Sequence, residues 1–308
     1  MRQVQAYSQA SGAEMQKFTA LAKNLGTTTR FTANEVAQGM AELSQSGINT
    51  YQELAAILPD VTNLTSASGM QFKETSDLLT DTMKQFSLQT SESGRVADVI
   101  AKGYTSAGHS AQQLGQALSY VGPIANSMGY SLEETVAIID ALAEAGYKGQ
   151  RGGTALRGGF TRLIKPSAEA AAVLEKYGIQ VEDTEGKTRD FADIIDDLGA
   201  ASMTNRELLT LFGQEAGPGM AALLSQGADK IREFHAQMES AGGTAKEIAS
   251  GMESGIGGSL RSLMSGLQAI VIGFGDSLAP AIQMAADALT GLARGLAVLP
   301  APMMVVGA

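Results

Sequence analysis

The sequence predicts a mainly α fold: a multi-helix bundle of short capped helices with one small β-hairpin, followed by long amphipathic C-terminal helices. Three observations predict it. Apolar residues recur at helical spacing and are punctuated by glycine near Gly26, Gly47, Gly69, Gly108, Gly129 and Gly146, the pattern of helices closed by left-handed residues. Ser/Thr-x-x-Glu boxes precede several of the apolar runs. A three-and-four stepped apolar stripe occupies the last quarter of the chain.

In chain order, residues 1–25 read as an N-terminal helix and residues 26–225 as a helical core. Within that core, Thr32-Ala33-Asn34-Glu35 opens a helix that runs through Leu43 to Gly47, and Ser131-Leu132-Glu133-Glu134 opens one that runs through Leu142 to Gly146. In each, the hydroxyl accepts from the third helical amide and the carboxylate returns to the cap amide. Three of the glycine intervals are close to the length of one helix plus a turn, as in a degenerate helical-hairpin repeat. From Tyr177 to Asp190 the helical period lapses. Ile179-Gln180-Val181 alternates and is followed by Asp183-Thr184-Glu185-Gly186, which reads as a hairpin near 179–190. A helix over Phe191–Leu198 and another opened by Thr204-Asn205-Arg206-Glu207 and running to Phe212 complete the core.

Residues 226–308 form an amphipathic, glycine-rich region. Its candidate helix-assembly stripe is Ile231, Phe234, Met238, Ile248 and Met252, with Ala241 and Ala245 in step. It resumes in a shifted phase as Leu260, Leu263, Leu267, Ile270 and Phe274, and again as Leu278, Ile282, Leu289, Leu292 and Leu296. Two readings stay open: a seam between helices of different copies, or a helix folded back on the core. Asp276 to Pro280 marks a break, because proline lacks an amide donor.

Composition removes several kinds of chemistry. The chain has no cysteine, so there is no disulfide framework, thiolate metal site or cysteine nucleophile. With only His109 and His235, each reads as exposed or locally bonded rather than as a ligand. No metal and no cofactor is expected. The 36 glycines among 308 residues exceed the roughly 7% of average proteins, yet there is no G-X-Y period and a hydrophobic fraction of 44% argues against disorder. Of these glycines, 24 fall in residues 1–241, where most are expected to end helices, and 12 in the final 67 residues. Gly251-x-x-x-Gly255 and Gly291-x-x-x-Gly295 there suit close helix approach.

Gly186-Lys187-Thr188 resembles the end of a phosphate loop, but Val181 stands where that motif needs glycine, and Glu182, Asp183 and Glu185 would repel phosphate. The carboxylates Asp190, Asp193, Asp196 and Asp197 read as a solvated helix face. One basic run stands against a net charge of −10: Lys148, Arg151, Arg157, Arg162 and Lys165, with no acid between Glu144 and Glu169. It reads either as a face paired with the acidic helix after Asp190 or as a patch for an acidic partner. Without aromatic interleaving, no specific nucleic-acid binding is expected. The N-terminus lacks a secretory apolar core, and the best membrane candidate, Ser262 to Gly275, is too short to span.

Phe31-Thr32-Ala33-Asn34-Glu35-Val36-Ala37-Gln38-Gly39-Met40, Gly94-Arg95-Val96-Ala97-Asp98-Val99, Val121-Gly122-Pro123-Ile124-Ala125 and Ser131-Leu132-Glu133-Glu134-Thr135 resemble the core of phage tail tape measure proteins. Gly152-Gly153-Thr154-Ala155-Leu156-Arg157, Tyr177-Gly178-Ile179 and Leu211-Phe212-Gly213-Gln214-Glu215-Ala216-Gly217 continue that order, over roughly residues 20–290. The resemblance implies a structural virion protein, not an enzyme, acting as scaffold and ruler of tail length and assisting DNA ejection. It implies as partners copies of itself and the tail tube and tail assembly proteins, with the host membrane reached during ejection. Its expected place is the lumen of the tail tube, after assembly in the host cytoplasm. Members of that family are commonly much longer, so a fragment or truncated product is expected. The alternative is a membrane-active helical protein whose C-terminal region inserts into a bilayer.

Overall fold

A computed structural model describes residues 1–8 and 10–253. These residues are mainly helical, and they divide between two compact units, residues 1–38 and residues 39–252. The stripe residues from Leu260 to Leu296, the Asp276–Pro280 break and the second Gly-x-x-x-Gly pair lie outside the described residues.

The first unit contains α1 (Arg2–Ser8), α2 (Gly12–Thr28) and the start of α3 (Ala33–Gln45). Ser11 and Glu14 close a capping box at the head of α2, and Thr32 and Glu35 do the same for α3. Gly26, expected to end a helix, instead lies inside α2. It is buried, and a Cβ there would lie 2.6 Å from the backbone nitrogen of Ala33, so the glycine permits the tight return of the chain into α3.

The second unit continues from α3 through α4 (Tyr51–Ser68), α5 (Phe72–Gln85), a short 3₁₀ turn (Thr90–Glu92), α6 (Ser93–Ser106), α7 (Ala111–Ser127) and α8 (Leu132–Glu144). It is completed by α9 (Gly149–Ile164), α10 (Ala168–Tyr177), α11 (Phe191–Ala200), α12 (Asn205–Gln226), α13 (Ala228–Glu239) and α14, which begins at Thr244. Capping boxes at Thr50, Ser110, Ser131 and Thr204 satisfy amides that helix starts leave orphaned. Gly47, Gly69, Gly108, Gly129 and Gly146 adopt positive φ just beyond helix ends, as their spacing predicts.

The hairpin expected near 179–190 is represented by one isolated antiparallel bridge, Glu182 to Thr188. The Asp183 amide donates to the Lys187 carbonyl at 2.8 Å and the Arg189 amide to the Val181 carbonyl at 3.0 Å. Asp183 Oδ1 accepts from the amides of Glu185 and Lys187, so the carboxylate organises the turn itself. The helix opened by Thr204 extends past Phe212: Gly213 has φ 73 and ψ 178, and after this kink the helix resumes to Gln226.

Packing runs through shared neighbours. α4 contacts α5 and α6, α6 contacts α7 and α8, α8 contacts α13, and α7 contacts α9, which in turn carries α12. Three rings pin this centre, with centroid separations of 5.6 Å for Tyr130–Phe160, 6.1 Å for Tyr130–Phe191 and 5.0 Å for Phe160–Phe191. The Tyr130 hydroxyl donates to the Arg189 carbonyl at 3.0 Å, satisfying the one polar group of the cluster. Burial, followed by the nearby carboxylates of Asp190 and Glu134, pushes that phenol's pKa upward.

Glycines on α9 serve a purpose other than ending helices. A Cβ on Gly153 would lie 2.7 Å from the Ala117 carbonyl oxygen of α7, and one on Gly159 would lie 2.5 Å from Met220 Sδ of α12. The α7–α9–α12 layer therefore depends on absent side chains at its crossing points. Among the described residues no helix is long and apolar enough to cross a membrane.

Candidate functional site

The structure splits the basic run 148–165 according to helix face. Gly152, Gly153, Ala155, Leu156, Gly159 and Phe160 are buried, so the polar residues between them form a solvent-facing ridge. Arg151 and Arg157 are exposed at opposite edges of that face, about 120° apart around the helix, and Lys165, just past its C-terminal end, is exposed too. The Arg151 guanidinium lies over the Tyr147 ring at 4.2 Å and that of Arg157 over the Tyr120 ring at 5.4 Å, so both stems are held against aromatic faces.

The other two members of the run point elsewhere. Lys148 Nζ donates to the Gly108 carbonyl at 2.7 Å, tying the start of α9 to the α6–α7 turn. Arg162 is half-buried, and its guanidinium occupies the space beside the α12 kink, where a Cβ on Gly213 would lie 2.6 Å from its Nη2.

The acidic helix does not pair with this run. Asp193 and Asp196 both accept from Arg232 Nη2, at 2.7 and 2.8 Å, and Asp197 accepts from Arg189 at 2.7 Å. Hydrogen bonding to Asp196 and then to Asp193 pushes the Arg232 guanidinium above its ordinary range. Of the two readings of the basic run, pairing with α11 is thereby corrected. Among the described residues none of the five cations makes an ion pair with a carboxylate.

The described part of the apolar stripe is divided as well. Ile231, Phe234 and Met238 are buried on α13, which packs on α8, α6 and α11. The stripe is not one helix: Ser240 to Gly243 form a turn, with Gly243 at φ 86, before α14 restarts the period. Ala241 and Ala245 are buried, Ile248 is half-buried and Met252 is 58% exposed. The new helix start is anchored from a distance. Asp98 of α6 accepts from the amides of Gly243 at 2.7 Å and Ala245 at 2.9 Å, acting as an N-cap supplied by another helix.

Beside this anchor an open groove of about 500 Å³ is lined by Arg95, Glu133, His235 and Glu239 among others. Arg95 grips Glu133 through two nitrogens at 2.6 and 2.8 Å. Burial works to raise the Glu133 carboxyl, and the Arg95 contact and its own backbone amide outweigh it, leaving its pKa lowered. Arg95 and Glu133 thus satisfy one another within the groove.

One pair escaped the sequence reading. His109 is buried, with Nε2 2.7 Å from Asp140 Oδ1 and Nδ1 3.3 Å from the Ser110 carbonyl. The expectation that His109 is exposed or only locally bonded is corrected by this contact across 31 positions. A usable signal was present, since Asp140 is a single carboxylate inside the apolar run Val136-Ala137-Ile138-Ile139-Asp140-Ala141-Leu142. Burial raises its pKa to about 6 against the opposing pull of His109.

The phage-related minor tail protein family model matches residues 19–214, from α2 to the α12 kink. The chain is 32% identical over 296 residues to the tape measure protein of Pneumococcus phage Dp-1, an alignment covering 94% of this chain and 26% of that protein. It is 26% identical over 267 residues to the probable tape measure protein of Escherichia phage P2, covering 84% of this chain and 33% of that one. The chain thus spans about a quarter to a third of the length of these relatives. No solved structure matches it. By the extent of the family match across the capped helical array, the chain belongs to the phage-related minor tail protein family.

Proposed function

We propose that this chain is a structural component of phage tail assembly, acting as scaffold and contributing to the ruler that sets tail length. The carrying observation is its similarity, along 94% and 84% of its length, to two proteins named as tape measures. Its partners in this reading are other copies of itself and the tail tube and tail assembly proteins. Its place is the lumen of the tail tube once assembly in the host cytoplasm is complete, with a part in passing DNA through the host envelope.

Scaffold and ruler ask different things of a chain. A ruler needs length, and a helix rises about 1.5 Å per residue, so 308 residues as one rod would reach roughly 460 Å. A scaffold needs a folded body with surfaces. The side-by-side helices of residues 39–252 suit the scaffold role, while the long amphipathic helices expected from the later part of the stripe, beyond the described residues, would carry length and helix–helix contacts. The test is to delete or duplicate whole helical segments in a phage carrying the longer protein and measure tails by electron microscopy. Tail length changing in proportion is expected, and tails of unchanged length would rule the ruler role out.

A further inference from the structure

Two of the breaks in the helical array of residues 39–252 consist of a single glycine. Gly213 interrupts α12 with helical residues on both sides, and Gly227 alone separates α12 from α13. Their backbones nearly coincide, with φ 73 and ψ 178 at Gly213 and φ 81 and ψ 165 at Gly227. Essentially only glycine reaches that combination of angles. It also differs from an ordinary helix closure such as Gly69, where ψ is 7. The first bend is sharp: a Cβ on Gly217 would lie 2.8 Å from Leu209 Cδ2, whereas eight residues of straight helix would hold those positions about 12 Å apart.

The apolar pattern runs through both breaks without losing phase. Phe212, Met220 and Leu223 are the large buried side chains from the first bend to the end of α12, and Ile231, Phe234 and Met238 are those of α13. Wound as one uninterrupted helix, at about 100° per residue, all six fall within an arc of about 100°, the width of a single buried face. Packing on a shared neighbour does not account for this, because α12 lies mainly on α9 and α10 while α13 lies mainly on α8. Pro218 is no obstacle to continuity at Gly213. It already sits inside the second half of α12, four residues beyond the helical Gln214, so straightening the bend asks nothing new of it.

We propose that α12 and α13 are one helical rod folded at two hinges, and that rotation of Gly213 and Gly227 into helical backbone joins residues 205–239 into a single helix of about 53 Å. In the described state the shared apolar face is buried on the neighbouring helices, so packing holds the rod bent. Straightening exposes that face and is favoured where another apolar surface covers it. The change would turn part of the scaffold body into length, and in that respect it rests on the reading above. Tails of unchanged length in the ruler experiment would leave the hinges standing, because their readout is a distance within one chain.

The chain has no cysteine, so Arg206→Cys and Ala236→Cys, both at exposed positions, place one pair of spin labels on the full chain. On a continuous helix those positions are about 45 Å apart, and the bends hold them closer. Alanine is excluded from the hinge conformation and is the best helix former, so Gly213→Ala with Gly227→Ala disfavours the bent state and favours the straight one. Pulsed electron resonance should then show a new population near the continuous-helix distance, with whole-chain circular dichroism no weaker than that of the unsubstituted hinges. Gly227→Ala alone, at a hinge with nothing within 4 Å of its Cβ, should lengthen the distance too and serves if the double variant does not fold. Gly199→Ala, in helical backbone away from the bends, should leave the distance unchanged. An unaltered distance in both hinge variants, loss of helical signal in both, or equal lengthening by Gly199→Ala would each overturn the proposal.

Discussion

His109 Nε2 lies 2.7 Å from Asp140 Oδ1 with both side chains removed from water, at 1% and 0% exposure, and the second carboxylate oxygen, Oδ2, has no hydrogen-bond partner among the described residues. Nδ1 faces the Ser110 carbonyl, which can only accept, so that nitrogen carries a proton. His109→Ala leaves the carboxylate buried without its partner and should cost about 3 kcal/mol of stability at neutral pH, measured by urea unfolding. Asp140→Asn keeps a polar contact without the charge and should cost less. Equal losses for the two variants would contradict this account.

The same carboxyl makes stability depend on pH with a defined sign. Its pKa is raised from 3.8 to about 6 by burial, so between those values the folded chain binds more protons than the unfolded one. The contribution is fully present below 3.8 and is lost as pH rises through about 6. Unfolding midpoints of the wild type should fall relative to those of Asp140→Asn across that window, and parallel curves would refute the assignment.

Asp98 is predicted to control the order of α14 more than the survival of the fold. Asp98→Ala removes the acceptor for two amides, at Gly243 and Ala245, and loss of a cap costs about 1 kcal/mol. Hydrogen exchange of α14 amides should speed up while that of α7 and α9 stays as in the wild type. Uniform acceleration along the chain would point to a global effect instead.

Glycine substitutions should separate by packing, not by composition. Gly153→Ala would set a methyl 2.7 Å from the Ala117 carbonyl oxygen, forcing α7 and α9 apart at a cost of about 2 kcal/mol. Gly199→Ala, in helical backbone with nothing within 4 Å, should instead stabilise by up to about 1 kcal/mol. Thermal melting of the two variants in parallel decides it, and shifts of the same sign would show that α9 glycines are ordinary helix residues.

A charge-capped helix start should be acid-sensitive in a similar, local way. Glu207 is drawn down to about 2 by Lys176 first and then by the backbone and hydroxyl of Thr204. Because its folded value lies below the ordinary one, its contribution is present above pH 4.5 and is lost as pH falls through about 2. Glu207→Gln should therefore flatten the acid limb of stability in that range, measured by urea unfolding of both chains followed by whole-chain circular dichroism from about pH 5 down to about pH 2, and parallel acid limbs would contradict it.

What the sequence determined on its own is where capped helices begin and, at Gly47, Gly69, Gly108, Gly129 and Gly146 though not at Gly26 or Phe212, where they end. A capping box links a residue to one three positions on, as at Ser131 and Glu134, and a closing glycine answers to the turn just before it, so both are written locally. The family resemblance followed the same local motifs. Tertiary structure decided everything that joins distant positions. It separated glycines that end helices from Gly153 and Gly159, whose missing side chains let helices meet. It gave Asp193 and Asp196 to Arg232 and left Arg151 and Arg157 exposed. It also turned a solitary histidine into the partner of a buried aspartate, and set Asp98 over an amide 145 residues away. Capping depends on bonds within one turn of chain, whereas burial and pairing depend on which surfaces meet, and only the packed helices specify that.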